Sequence, residues 1–145
     1  MSNASESVKT LIQDMVADRN LYTLLRDRLE AQREGIILRD VAVLEMVNQE
    51  IITLYQQLSA HSQKRHRLLK ALGIPVGVKG LKMLFSRLPE NWQNQVKQLW
   101  ADLEDNAATC KMANDANGML LNMQNDILQN LLNVSEPENW LYQQV

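Results

Sequence analysis

An all-α fold, an elongated antiparallel helix bundle or coiled coil of three long helices plus one short helix, is what this sequence predicts. Apolar residues recur at steps of three and four over three long segments, the spacing that lines one face of a helix. Glycine and proline are scarce, five and three in 145 residues, too few for the turns of a β-sandwich. Apolar residues make up 46% of the chain and aromatics only 5%, which favours packing by Leu, Ile and Met. The length suits one domain. We assign residues 1–134 to the helical bundle and residues 135–145, containing Pro137, to a flexible C-terminal tail.

The first helix is expected from Ser7 to Glu34. Leu11, Met15, Tyr22, Leu25 and Leu29 keep a 4-3 alternation, with Asp18 at its one polar step. Ser7 suits an N-cap and Gly35 a C-terminal stop. The second helix opens at Asp40, a good N-cap. It carries Leu44, Val47, Ile51, Leu54, Leu58, His61, Arg65, Leu68 and Leu72 on one stripe, and stops at Gly73. Its last turns are expected to pack loosely, because His61 and Arg65 interrupt the apolar stripe. The short link makes the two helices an antiparallel hairpin.

Residues 73–80 form the only glycine-rich stretch. It lacks the Gly-Lys-Ser/Thr ending of a phosphate loop and follows no strand, so it reads as a turn. A short helix from Leu81 to Leu88 is expected next, and Pro89 suits the start of the last helix. From Trp92 to Leu131 the 4-3 register continues without a slip, which is coiled-coil patterning. Gly118 costs about 1 kcal/mol relative to Ala inside a helix. It predicts either a bend or the close approach of a partner.

Chemistry is hard to find along the chain. His61 and His66 sit about 140° apart on a helix and cannot share a metal. Cys110 falls on a core position, where it packs as a small apolar side chain. No nucleophile is paired with a base. We therefore expect no enzyme activity, no catalytic residue, no cofactor and no metal. A lone cysteine, no signal peptide and no apolar run of about 18 residues read as a soluble, cytoplasmic protein without direct membrane insertion. Between Glu50 and Glu90 there is no acidic residue, while Lys64, Arg65, Arg67, Lys70, Lys79, Lys82 and Arg87 fall there. That stretch is either a solvated helix end or a patch for an acidic partner. Nucleic acid is disfavoured because no stacking aromatics are interleaved with the cations.

The last helix is the informative one. Its middle places polar or small residues at core positions (Asn106, Cys110, Ala113 and Asn117), a pattern that fixes register at some cost in stability. Its end turns strongly apolar, with Met119, Leu120, Leu121, Met123, Ile127, Leu128, Leu131 and Leu132 covering more than one face. This helix exceeds the hairpin helices in length, so its final turns are expected to overhang them. Exposed leucines there mark a surface for a partner protein. Dimerisation or folding back of this end would be the structural alternative.

Leu99-Trp100, Leu103, Cys110, Asn114, Asn117-Gly118, Leu120-Leu121, Leu131, Leu132 and Leu141-Tyr142 carry a resemblance to the FlgN family of flagellar type III export chaperones. The Asn-x-x-Asn-Gly-x-Leu-Leu core from Asn114 to Leu121 is its most specific element. Arg67-Leu68-Leu69 resembles the end of the family's second helix. The resemblance implies a cytosolic chaperone that binds hook-associated proteins, those of the hook–filament junction. It would prevent their premature polymerisation and deliver them to the export gate. It implies no cofactor. The matching grip residues are Asn117, Leu120, Leu121, Gln124, Ile127, Leu128, Leu131 and Leu132. Tyr142 matches a tail tyrosine that docks on the cytoplasmic domain of the export-gate membrane protein. The family's tail usually continues with glycine, where this chain has Gln143. A filament-cap chaperone of the same system and a self-assembling coiled coil remain alternatives. The expected state is a monomer or a weak homo-oligomer.

Overall fold

A computed structural model describes residues 3–135, with side-chain surroundings from 5 to 133. Four helices account for the described residues: α1 (Asn3–Leu38), α2 (Val41–Ala71), α3 (Val78–Ser86) and α4 (Glu90–Ser135). The three long ones and the short one are those the apolar spacing predicts. The tail after Ser135, Tyr142 included, lies outside the described residues.

The first helix differs at both ends: it begins at Asn3, so Ser7 lies inside it instead of capping it. It runs through Gly35, which is buried, and stops only at Leu38. Leu44 packs on the surface that the missing side chain leaves, its Cδ2 3.0 Å from where a Cβ would stand. Arg39 supplies the stop instead, with φ 54°. Arg39 N donates to Ile36 O at 3.2 Å and Asp40 N to Gly35 O at 2.9 Å, the paired closure of a Schellman motif. Asp40 at once caps α2, its carboxylate accepting from Val43 N at 3.2 Å. Two residues thus end one helix and begin the next.

At the other end of α2, Gly73 takes φ 71° and Ile74 N bonds back to Leu69 O at 2.9 Å, as the glycine signal predicts. The following link returns against α3: a side chain at Gly80 would overlap the carbonyl of Pro75. Gly80, in the first turn of α3, thus serves close packing rather than turning.

The helix directions follow from side-chain pairs. Gln32 with Asn48, Arg28 with Glu50 and Lys64 with Asp14 join residues about equally far from the Arg39–Asp40 turn, so α2 runs antiparallel to α1. Against α4 the separation is constant. Cys110 meets Tyr22, Asn117 meets Leu29 and Gln124 meets Ile36, each pair 88 residues apart. These contacts step by one heptad along both helices, the signature of a parallel coiled-coil seam. The central α1 packs against both α2 and α4, while α3 packs on α4 near its start.

The core has two apolar parts. One gathers Leu11 and Met15 with Leu69, Ile74, Leu81, Leu84, Phe85, Val96, Leu99 and Leu103. The other gathers Leu25, Leu29, Val47, Ile51, Leu54 and Cys110. Between them lies a polar layer on buried Asp18. His61 Nδ1 and Arg65 Nη1 lie 2.5 Å from its two carboxylate oxygens. Arg65 also stands 5.8 Å from the centre of the Trp100 ring. The expectation of loose packing at His61 and Arg65 is therefore corrected: they are held by a charged partner on α1.

Candidate functional site

The two helices of the α4 seam end at different heights, and that difference makes the site. At 1.5 Å per residue, the 46 residues of α4 extend about 69 Å, against about 54 Å for the 36 of α1. With the constant separation of 88, Leu38, the last residue of α1, falls opposite Asp126. From Ile127 to Ser135, about 13 Å of α4 continues with no α1 beside it.

The predicted grip residues divide at that point. Asn117 is buried, and its Nδ2 donates to Leu29 O and to Gln32 Oε1, both at 2.9 Å. Gln124 Nε2 donates to Ile36 O at 2.9 Å. These amides fix the register of α4 on α1, and the same arrangement half-buries Leu120. The other five are exposed: Leu121 by 52%, Ile127 by 50%, Leu128 by 43%, Leu131 by 62% and Leu132 by 57%. Seven residues on from Asn117 comes Gln124, and seven more brings Leu131. Ile127 and Leu131 thus continue the face that α1 covers lower down, while Leu128 and Leu132 flank it, in heptad line with exposed Leu121 and Gly118.

Sequence reasoning missed the floor beside this wall. Ile37, Leu38 and Val41, at the α1–α2 turn, are exposed as well. Their signal was present in Gly35-Ile36-Ile37-Leu38 and Val41-Ala42-Val43-Leu44. Such contiguous apolar runs exceed what one helix stripe can bury. The overhang and the hairpin tip together form an apolar step at one end of the bundle.

The step offers little acid–base chemistry. Between Ala116 and Ser135, Asp126 is the only charged residue, while seven Asn and Gln side chains fall there. α4 passes straight through Gly118 in regular helix, and nothing lies within 4 Å of where its Cβ would stand. Of the two alternatives, the bend is absent, and none of the described residues uses the gap. Among the described residues, no group of three His, Cys, Asp or Glu is placed to hold a metal. Cys110 Sγ lies 3.6 Å from Tyr22 O, to which it donates, and burial pushes its thiol pKa up, away from the reactive thiolate. No described helix is long and apolar enough to cross a membrane.

The family model of the FlgN protein matches residues 1–139, nearly the whole chain. The chain belongs to the FlgN family. No curated protein and no solved structure matches it. FlgN membership carries the role of a flagellar export chaperone, and the helical bundle is the fold on which that role rests here. The FlgN match also spans the apolar step, so the step lies within the family's shared region and not in an appended segment.

Proposed function

We propose that this chaperone binds hook-associated flagellar proteins on the apolar step, a partner helix taking over the α4 seam where α1 leaves it. The supporting observation is that exposed Ile127 and Leu131 stand in heptad continuity with the covered part of the seam, with exposed Leu128 and Leu132 widening that apolar surface on either side. A helix seated there meets the α4 wall along its side and the hairpin tip at its end. It also loses the surface with which it would join its neighbours in the assembled flagellum, which prevents premature polymerisation. The complex is held in the cytoplasm and delivered to the export gate, where Tyr142 docks on the cytoplasmic domain of the gate protein.

Two truncations test this reading by calorimetric titration with purified hook-associated proteins. A chain ending at Ser135 keeps cargo affinity and loses only the tail function. A chain ending at Asp126 loses cargo binding while its bundle stays folded. Undiminished affinity in the shorter chain refutes the site. Binding of the filament-cap protein instead assigns the other cargo. A stable dimer that dissociates only on removal of residues 127–135 makes the seam a self-association surface.

A further inference from the structure

The opposite end of the bundle carries a second surface, of contrary character. The end of α2, the link after it, α3 and the start of α4 meet there. Seven cations fall between Glu50 and Glu90 with no acidic residue among them. The structure separates them into two kinds. Lys64 pairs with Asp14 at 3.1 Å and Arg65 with Asp18 at 2.5 Å, so both are neutralised inside the hairpin. Arg67, Lys70, Lys79, Lys82 and Arg87 are exposed and make no ion pair among the described residues. Exposed Glu6 and Glu90 stand at the same end, and against them the five cations still leave a local positive excess, although the chain as a whole carries a net charge of −2.

Helix α3 shows how this surface is built. Its Gly80, Leu81, Leu84 and Phe85 are buried in the core. That leaves Lys79, Lys82, Met83 and Ser86, spaced i, i+3, i+4 and i+7, on the opposite, exposed face. Val76 and Val78 are also exposed beside them. Cations and apolar side chains are thus interleaved on an end of the bundle rather than arranged along a groove. The concavity at this end, about 190 Å³ between α2, α3 and α4, is smaller than ordinary ligand pockets and cannot seat a helix. No exposed aromatic falls between Arg67 and Arg87, and exposed Trp92 at the start of α4 stands beside Ile12 and Val16 of α1 instead, so the five cations lack the interleaved stacking that single-stranded nucleic acid requires.

We infer that this end adsorbs on the headgroups of an anionic phospholipid bilayer. A charged plane engages cations spread over two helices and a link at once, and Val76, Val78 and Met83 enter the headgroup region between them. No segment crosses the bilayer. The apolar step stands at the far end of α4 and remains open to cargo while this end is occupied. The inference is independent of the cargo reading, since the two surfaces share no residue.

Sedimentation of the full chain with vesicles tests it. The vesicles are phosphatidylcholine alone, or phosphatidylcholine with about one-third phosphatidylglycerol. Retention is expected on the anionic vesicles only, at about 0.05 M salt, and is lost at about 0.5 M. Lys79→Gln with Lys82→Gln weakens retention about thirty-fold, with an unchanged helical spectrum. Arg33→Gln with Lys111→Gln removes the same charge elsewhere and changes it less than about two-fold. Leu128→Asp with Leu131→Asp leaves vesicle binding intact, which separates this surface from the cargo step. Three results overturn the inference: no retention at low salt, equal retention on neutral vesicles, or equal loss in both charge-neutralised variants. If soluble poly-L-glutamate binds the same cations while vesicles do not, the surface belongs to an acidic polypeptide instead.

Discussion

Replacing Leu128 and Leu131 together by aspartate separates binding from folding. The exposed fractions of Ile127, Leu128, Leu131 and Leu132 add up to about two fully exposed side chains. At about 1.5–3 kcal/mol for each one buried, the step holds about 3–6 kcal/mol for a partner that covers it. Leu128 and Leu131 supply roughly half of that. Two carboxylates facing an apolar helix add a desolvation cost of at least the same size. The double variant should therefore lose about 3 kcal/mol or more of cargo affinity, a factor of more than 100. Its own stability should change by less than about 0.5 kcal/mol, because neither side chain is buried in the free chain. Calorimetric titration with hook-associated proteins measures the first quantity and urea unfolding the second. Affinity within about threefold of the parent chain refutes the reasoning. So does a loss of stability as large as the loss of affinity, since the leucines would then be serving the bundle.

Asp18→Ala leaves His61 and Arg65 without their shared carboxylate and should destabilise the bundle by about 3 kcal/mol in urea unfolding. This is the low end of the range for a broken buried pair, because His61 keeps part of its surface in water. A loss below about 1 kcal/mol would show that the layer contributes little. Arg39→Gly relieves a positive φ and should raise stability by about 0.5–1 kcal/mol, read as a shift in the urea midpoint. Gly118→Ala, where a methyl group meets no neighbour, should raise it by about 1 kcal/mol, and an unchanged midpoint would contradict the open geometry. Tyr22, Tyr55 and Cys110 all have pKa values pushed above the ordinary 10.0, 10.0 and 9.0, burial being the largest cause for each. The folded chain then holds more protons than the unfolded chain above about pH 9, so stability present below that pH falls as pH rises. Urea midpoints from pH 7 to about 10.5 check this, and Tyr22→Phe with Cys110→Ala should flatten the decline.

Helix number and order were legible because apolar spacing is a local property, and the bundle buries what the spacing selects. Asp40 and Gly73 were legible for the same reason, since a cap depends on a few neighbouring residues. Gly35 misled because a glycine near a helix end serves either as a stop or as a packing surface, and only the position of Leu44 decides between them. The polar layer was partly written in the chain. Asp18 and His61 lie equally far from the turn between Arg39 and Asp40, so an antiparallel hairpin must bring them together. Read one helix at a time, they look like two unrelated defects. The excess of leucines at the end of α4 was visible in composition. Which of them stay exposed was not, because that depends on where a different helix stops. Asn117 and Gln124 show the difference: they share the heptad face with Leu131, yet their amides are already committed to α1.

The Arg39–Asp40 turn therefore acts as a length gauge. Every seven residues added to α1 and matched in α2 would slide the turn one heptad outward and roof over the leucines now left bare. Every seven removed would bare one heptad more. The size of the apolar step, and of the cargo footprint proposed for it, is set less by the helix that carries it than by the place where its neighbour turns back.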